Sequence, residues 1–248
     1  MDTDTRLVST GRIIPADSYC DQPYVMPTDD GAWLCVVTTG SGQEGERGQH
    51  VITRRSRDQG RTWSDPVDVE PADGPEASYA VLLKTPGGRI YCCYTHNSDN
   101  MRGVAADNPP YRAGVCRRVD SLGSFVFKYS DDHGQSWSAQ RYPIPVREMA
   151  IDRANPYAGK IRFFWNVGRP FLHAGSAYVP LIKVGGFGAG FATRSEGVLL
   201  RSANLLSERD PAAIAWETLP DGDHGLRTPP GGGPIAEEQS YSVLSDGS

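Results

Sequence analysis

The pattern S-x-D-x-G-x-[ST]-W occurs twice in the chain, and it restricts the fold more than any other feature. One copy runs from Ser56 to Trp63 and the second from Ser130 to Trp137. A weaker third copy starts at Ser202, and its tryptophan, Trp216, follows an insertion. Each copy lies between two short extended runs, so the motif predicts the turn of a β-hairpin that recurs along the chain.

The residue types of the motif suit a rigid turn. Serine and aspartate side chains bond to turn backbone groups, glycine accepts a positive φ, and tryptophan can pack beneath the turn. We therefore expect a structural role for eight residues: Ser56, Asp58, Gly60, Trp63, Ser130, Asp132, Gly134 and Trp137.

A second hairpin pattern, strand then glycine turn then strand, precedes each of these motifs. Two hairpins per period make a four-stranded antiparallel sheet, the unit of a β-propeller blade. Three periods fill most of the chain, and a fourth begins at Tyr241. Because propellers typically need at least four blades, we expect an all-β, partial β-propeller of the sialidase type. It would have about three four-stranded blades plus the start of a fourth, in a single domain over residues 1–248 truncated at the C-terminus.

Composition excludes several classes of protein. The chain has 28 glycines and 19 prolines among 248 residues, too many for a helical bundle. Its net charge of −5 argues against a nucleic-acid partner. No apolar run approaches the roughly 20 residues of a membrane helix, so no membrane partner is expected.

Other sequence features predict the compartment and the absence of cofactors. No apolar signal segment stands at the N-terminus, which predicts a cytoplasmic protein, or a secreted one if the natural start lies upstream. The five cysteines lack a CxxC pair, so we expect them to be unpaired and buried, with no metal and no cofactor. The oligomeric state is not predicted.

The repeated turn motif, at this spacing, resembles the Asp-box (BNR-repeat) proteins of the sialidase superfamily over nearly the whole chain. The chain as a whole is similar to the propeller-type rhamnose–glucuronate polysaccharide lyases. That resemblance implies β-elimination at a uronate of an acidic oligo- or polysaccharide, performed by His, Tyr and Arg groups. Two alternatives stay open: an exo-sialidase-like glycoside hydrolase, and a non-catalytic glycan-binding propeller or inactive fragment.

The resemblance to true sialidases holds at one position and fails at two. Glu238 matches the family's glutamate, in the pattern Glu-x-x-x-x-x-Leu-x-Asp-Gly. The family's R-I-P arginine is replaced by the segment Asp21-Gln22-Pro23, and its E-x-R segment by Val37-Thr38-Thr39-Gly40. Elimination is therefore favoured over sialidase chemistry.

Alignment on the turn glycines places four residues at matching positions of the innermost strands: Gln22, Tyr79, Arg169 and Glu238. Arg169 has the planar fork of a carboxylate clamp, and Tyr79 is a candidate acid or base. Inward tyrosines and paired arginines also serve packing, so a structural role is the alternative for both.

The remaining candidates are histidines and cations. His50 starts one predicted strand and His96 ends another, and both titrate in the range that acid–base catalysis needs. The predicted catalytic set is therefore His50, His96, Arg169, Tyr79 and Glu238. Gln22, Arg162 and Lys183 are predicted to bind the substrate, with solvent exposure as the alternative for the two cations.

Overall fold

The computed structural model describes residues 7–244, which form three main β-sheets in chain order. The first sheet is an antiparallel meander in the order β1-β2-β3-β4. Its strands are β1 (Tyr19–Pro27), β2 (Trp33–Gly40), β3 (His50–Ser56) and β4 (Val67–Glu70).

The second sheet repeats this meander around a long insertion. Its strands are β5 (Ala77–Lys84), β6 (Ile90–His96), β9 (Ser124–Ser130) and β10 (Tyr142–Pro143), paired in that order. A separate two-stranded sheet lies within the insertion between β6 and β9, formed by β7 (Val104–Ala105) and β8 (Val115–Cys116).

The third sheet has five strands instead of the expected four. They are β11 (Phe163–Trp165), β12 (Phe171–His173), β13 (Ser176–Gly188), β14 (Phe191–Ser202) and β15 (Glu217–Leu219). Both β11 and β12 pair with the same edge of β13. The innermost strand is thus divided in two, and Pro170, which has no N–H to donate, lies in the break.

Helical structure is confined to short segments: α1 (Ala150–Arg153) and the 3-10 turns Val8–Thr10, Arg112–Gly114 and Pro211–Ala213. The prediction of an all-β chain with antiparallel sheets is therefore confirmed. The predicted fourth repeat is not assigned a strand over residues 241–244, and its remainder, residues 245–248, lies outside the described residues. No helix within residues 7–244 is long and apolar enough to cross a membrane.

The second sheet is packed between the other two, as the alternation along β5 requires. Ala80 and Leu82 join the core shared with the first sheet, whereas Val81 and Leu83 join the core shared with the third. Successive strand residues face opposite sides of a sheet, so one strand supplies both cores. This stacking brings the starts of β1, β5 and β11 close together.

The two S-x-D-x-G-x-[ST]-W segments form nearly identical turns. Ser130 Oγ donates to Asp132 Oδ1 at 2.7 Å and accepts from the Gly134 N–H at 2.8 Å. Asp132 Oδ1 in turn accepts from the Ser136 N–H at 2.9 Å. Gly134 has φ = 81°, in the left-handed region that favours glycine.

The first copy shows equivalent bonds among Ser56, Asp58, Gly60 and Thr62. The tryptophans of the two turns are half-buried rather than fully covered. Trp137 donates from Nε1 to Thr53 Oγ1 of the first sheet at 3.0 Å. The turn therefore also ties neighbouring sheets together.

The third copy keeps the same turn with asparagine in place of aspartate. Ser202 Oγ donates to Asn204 Oδ1 at 3.2 Å and accepts from the Leu205 N–H at 3.1 Å. Asn204 Oδ1 accepts from the Ala215 N–H at 2.9 Å, next to Trp216. The residues inserted between them loop out and leave the serine–asparagine core of the motif intact.

The cysteine prediction is correct for four of the five thiols. All five are free, and Cys35, Cys92, Cys93 and Cys116 are buried. Cys20 is exposed instead, because it lies on the outward-facing side of the edge strand β1.

Candidate functional site

A cavity of about 240 Å³ lies where the innermost strands begin. Three of the sequence-predicted residues, Gln22, Tyr79 and Glu238, line it. The other lining residues are Asp21, Glu44, Arg118, Trp165, Val167, Phe191 and Glu237. The alignment on turn glycines thus identifies residues from three separate segments that meet in one place.

The three predicted residues share an unusual backbone conformation. Gln22, Tyr79 and Glu238 have φ values of 49°, 58° and 55°, in the left-handed region. In β1 and β5 this residue lies at a β-bulge, where the register shifts between Asp21 and Tyr24 and between Ser78 and Val81. A side chain in this conformation costs on the order of 1 kcal/mol, and such strain and such bulges are concentrated at functional sites.

Tyr79 is the centre of a hydrogen-bond network on one wall of the cavity. Its hydroxyl donates to Asp120 Oδ2 at 2.8 Å and lies 3.3 Å from Glu44 Oε1. Arg118 Nη2 contacts all three groups: Asp120 Oδ2 at 2.6 Å, Glu44 Oε1 at 2.6 Å and the Tyr79 hydroxyl at 3.1 Å. Each polar group on this wall is therefore already bonded to another protein group.

The pKa of Tyr79 is raised well above its usual value of 10. Burial of the phenol is the main cause, and the negative charge of Asp120 adds to it. The hydroxyl therefore keeps its proton and acts as a hydrogen-bond donor. A phenolate base at this position would need a neighbouring cation that outweighs two carboxylates.

Arg118 is held in place on several sides. Its guanidinium lies 3.8 Å from the centre of the Phe191 ring, in addition to its contacts with Asp120 and Glu44. Burial alone would lower its pKa, but the hydrogen bond to Asp120 and the charge of that carboxylate raise it, so the guanidinium stays charged. Among the described residues that line the cavity, Arg118 is the one cationic side chain.

Two carboxylates of the cavity are easier to protonate than usual. The pKa of Asp21 is raised by burial and by the charge of Glu44, although a hydrogen bond from Tyr19 opposes the change. The pKa of Glu237 is raised by burial and by the adjacent Glu238. Carboxyl groups with raised pKa values are suited to donating a proton near neutral pH.

The lining beside this network is aromatic. Trp165 lies 6.3 Å from Tyr79 and 5.3 Å from Phe191, measured between ring centres. Gln22 Oε1 is buried and has no donor within residues 7–244. A ligand in the cavity would meet this apolar ring surface.

Arg169 lies outside this cavity. It is exposed, is bonded to Tyr24 and lines a second cavity of about 450 Å³, farther along the innermost strands. That second cavity also contains Met26, Leu82 and Tyr241. The predicted carboxylate clamp therefore lines a different cavity from Tyr79 and Glu238.

The two candidate histidines do not line the cavity. His50 is buried, with its ring Nδ1 3.3 Å from the Gly48 carbonyl oxygen and Nε2 3.6 Å from Asp17. His96 is buried too, with Nδ1 2.9 Å from Ser98 Oγ. Burial, with the nearby Arg141, lowers the pKa of His96 to about 4, so it is neutral at pH 7. In this structure both rings contact protein groups rather than the cavity.

The two cations predicted to bind substrate are likewise engaged elsewhere. Lys183 is fully buried and pairs with the equally buried Asp152 of α1. Arg162 donates to the Val146 carbonyl. The expectation that Lys183 contacts a glycan is corrected by this burial, since an ammonium group with no exposed surface cannot reach a polymer in solvent.

Sequence reasoning did not predict Asp21, Trp165, Phe191 or Glu237 as site residues, and it missed three charged residues from loops: Glu44, Arg118 and Asp120. Glu44 lies in the glycine-rich loop between β2 and β3, and the other two lie in the insertion Asn97–Gly123. These loop residues belong to no recognisable motif, although the length of that insertion was a usable signal. No group of three or more His, Cys, Asp or Glu residues within 7–244 is arranged to hold a metal ion.

Comparisons with known proteins support the fold. No protein-family model matches the chain, and no curated protein does. A solved structure from Dyadobacter fermentans, titled as a protein of unknown function, superposes with a TM-score of 0.56 at 15% identity, over 84% of this chain and 56% of that one.

An ulvan lyase bound to -[GlcA(1-4)Rha3S]- superposes with a TM-score of 0.50 at 15% identity, over 85% of this chain and 46% of that one. A microbial sialidase gives a TM-score of 0.49 at 14% identity, over 80% of this chain and 37% of its own. The chain thus spans about half the length, or less, of these proteins. At these identities the first two comparisons show a shared fold alone.

Proposed function

We propose that this protein is a glycan-cleaving enzyme that hydrolyses a glycosidic bond at the cavity bounded by Tyr79 and Glu238. In this proposal the three sheets are blades of a sialidase-type β-propeller in a single domain, with the segment from Tyr241 as the start of a fourth. The fold shared with the ulvan lyase is the first support for a carbohydrate substrate. The aromatic wall of Trp165 and Phe191 is the second.

The observation that carries the proposal is the gathering of four carboxylates around one small cavity. Asp21, Glu44, Glu237 and Glu238 all line it. Glycoside hydrolysis requires two carboxyl groups, one that protonates the leaving oxygen and one that stabilises the sugar cation or activates water. The site therefore contains the chemical groups that hydrolysis needs.

The environments of these groups suggest their roles. Asp21, with its raised pKa, is suited to be the general acid. Glu238 is exposed to the cavity mouth and is suited to act as the nucleophile or base. Asp120 and Arg118 fix the Tyr79 hydroxyl, which can then hold a sugar oxygen in position.

Elimination at a uronate, which the sequence favours, is less well supported by this geometry. That reaction requires a base for the proton next to the carboxylate and free cationic groups for the developing enolate. The raised pKa of Tyr79 opposes its action as a base, and Arg118 is already paired with Glu44 and Asp120. His50, His96 and Arg169 line no part of this cavity.

The test is a comparison of four variants on a panel of oligosaccharides. Asp21→Asn and Glu238→Gln should each reduce hydrolysis by about 100-fold or more, the scale expected for acid–base catalysis. The matched controls are Asp68→Asn and Glu217→Gln, which change exposed carboxylates on the outer strands β4 and β15. Controls that keep full activity, beside the two inactive variants, would support the assignment; full activity in Glu238→Gln would refute it.

A further inference from the structure

We infer that the sugar unit held in this cavity is uncharged or carries an ammonium group, and that carboxylated and sulfated sugars are rejected. The inference rests on the proposed function, because it takes the cavity as the glycan site. It revises the expectation of an acidic glycan partner.

The electrostatics of the lining are the first argument. Four carboxylates line the cavity, and Asp120 lies directly behind Tyr79. The single guanidinium facing them, Arg118, is within 2.6 Å of both Glu44 and Asp120 and covers the Phe191 ring. An anionic substituent would therefore enter a negative field without a free cation to pair with it.

The other candidate cations are bonded to protein groups or line another cavity. Lys183 is buried against Asp152, and Arg162 is bonded to the Val146 carbonyl. Arg169 lines the separate second cavity. Recognition of a carboxylate generally uses a planar, bidentate arginine, and no described residue of this lining offers one that is free.

Neutral and cationic sugars suit the same lining. Hydroxyl groups can donate to Asp21, Glu237 and Glu238, which line the cavity. The C–H face of a sugar can pack on Trp165. An ammonium substituent could pair with the carboxylates and also contact the aromatic faces, which attract cations.

The experiment measures binding, separately from cleavage, with matched sugars. The probes are the methyl glycosides of glucose, glucuronate and glucosamine, and the same three in the galacto series. Dissociation constants are measured by ligand-detected NMR at low and high salt. We expect the uronates to bind at least about tenfold more weakly than the neutral sugars, and the amino sugars to bind most tightly and to weaken as salt is added.

A charge variant connects the selectivity to this cavity. Glu237→Gln should reduce the ratio of the uronate and neutral-sugar dissociation constants several-fold (the affinity gap), because it removes one exposed carboxylate of the lining. Glu217→Gln on β15 is the control and should leave the gap unchanged. A gap that is the same in both variants would overturn the assignment to this cavity.

Failure of this inference and failure of the proposed function give different results. Uronates that bind as tightly as the neutral sugars, or no binding by any of the six probes, would overturn the inference. If the expected order of binding holds but no glycan is cleaved, the inference stands and the hydrolase proposal fails. Hydrolysis of a uronate glycoside would overturn the inference and leave the hydrolase proposal standing.

Discussion

The hydroxyl of Tyr79 donates to Asp120 Oδ2 at 2.8 Å, although 41 residues separate them along the chain. The bond joins the bulge of the innermost strand β5 to the insertion that precedes β9. Asp120 is only 2% exposed, and it is stabilised from the other side by Arg118. The wall of the candidate site is therefore also a buried ionic network, so changes there affect both stability and activity.

Loss of Arg118 should be severe for the folded protein. Arg118→Gln leaves the buried Asp120 without its cation, and breaking such a pair costs about 3–5 kcal/mol. Urea unfolding measures this cost. The double variant Arg118→Gln/Asp120→Asn should recover a clear part of it, since no buried charge is left unpaired. A double variant that is as unstable as the sum of the single changes would contradict the network.

Replacement of Gln22 by glycine separates strain from function. Gln22 has φ = 49° and a buried Oε1 without a donor among residues 7–244, so its side chain costs stability in the free protein. Gln22→Gly should leave the free energy of unfolding within about 1 kcal/mol of the original or raise it. Sugar affinity should fall at the same time. Unchanged affinity, measured by the same NMR titration, would remove Gln22 from the binding site.

The buried His96 should make stability depend on pH. Its folded pKa of about 4 lies below the usual 6.5, so the unfolded chain binds the proton more readily. The contribution of this residue is complete above pH 6.5 and is lost as the pH falls from 6.5 through 4, a change of roughly 3 kcal/mol. The free energy of unfolding, measured by denaturant titration at a series of pH values, should fall more steeply with decreasing pH in the original protein than in His96→Gln between pH 6.5 and 4. Parallel curves would show that the ring is not buried as a neutral group.

The turn motif should be a measurable source of stability. Ser130→Ala removes the acceptor of the buried Gly134 N–H and the donor to Asp132, which costs about 1–3 kcal/mol. Ser202→Ala should cost less, because its bonds to Asn204 and Leu205 are longer, at 3.2 and 3.1 Å. Thermal unfolding of the two variants gives the order. A larger loss of stability in Ser202→Ala than in Ser130→Ala would contradict the view that the third turn is a weaker version of the second.

The fold was predictable because its signals are local. Serine, aspartate and glycine at fixed spacing define a turn by their own hydrogen bonds, and the structure has that turn at Ser56 and Ser130. The same regular spacing located Gln22, Tyr79 and Glu238, which share a left-handed backbone conformation.

The rest of the site depends on packing that sequence patterns do not encode. Lys183 stands among apolar strand residues, and its partner Asp152 comes from a helix 31 residues earlier. His96 lies at the end of a strand, as predicted, but its side chain is buried. Arg118 and Asp120 reach the cavity from an insertion whose path follows from its contacts with Phe191 and Tyr79.

Product analysis in heavy-oxygen water tests the central claim most directly. The protein would be incubated with neutral and uronate-containing oligosaccharides, beside Glu238→Gln, and the product masses determined. We predict that heavy oxygen enters a new sugar end of the neutral substrates, and that this incorporation is lost in Glu238→Gln. An unsaturated, unlabelled product formed from the uronate substrates would contradict hydrolysis and establish elimination instead.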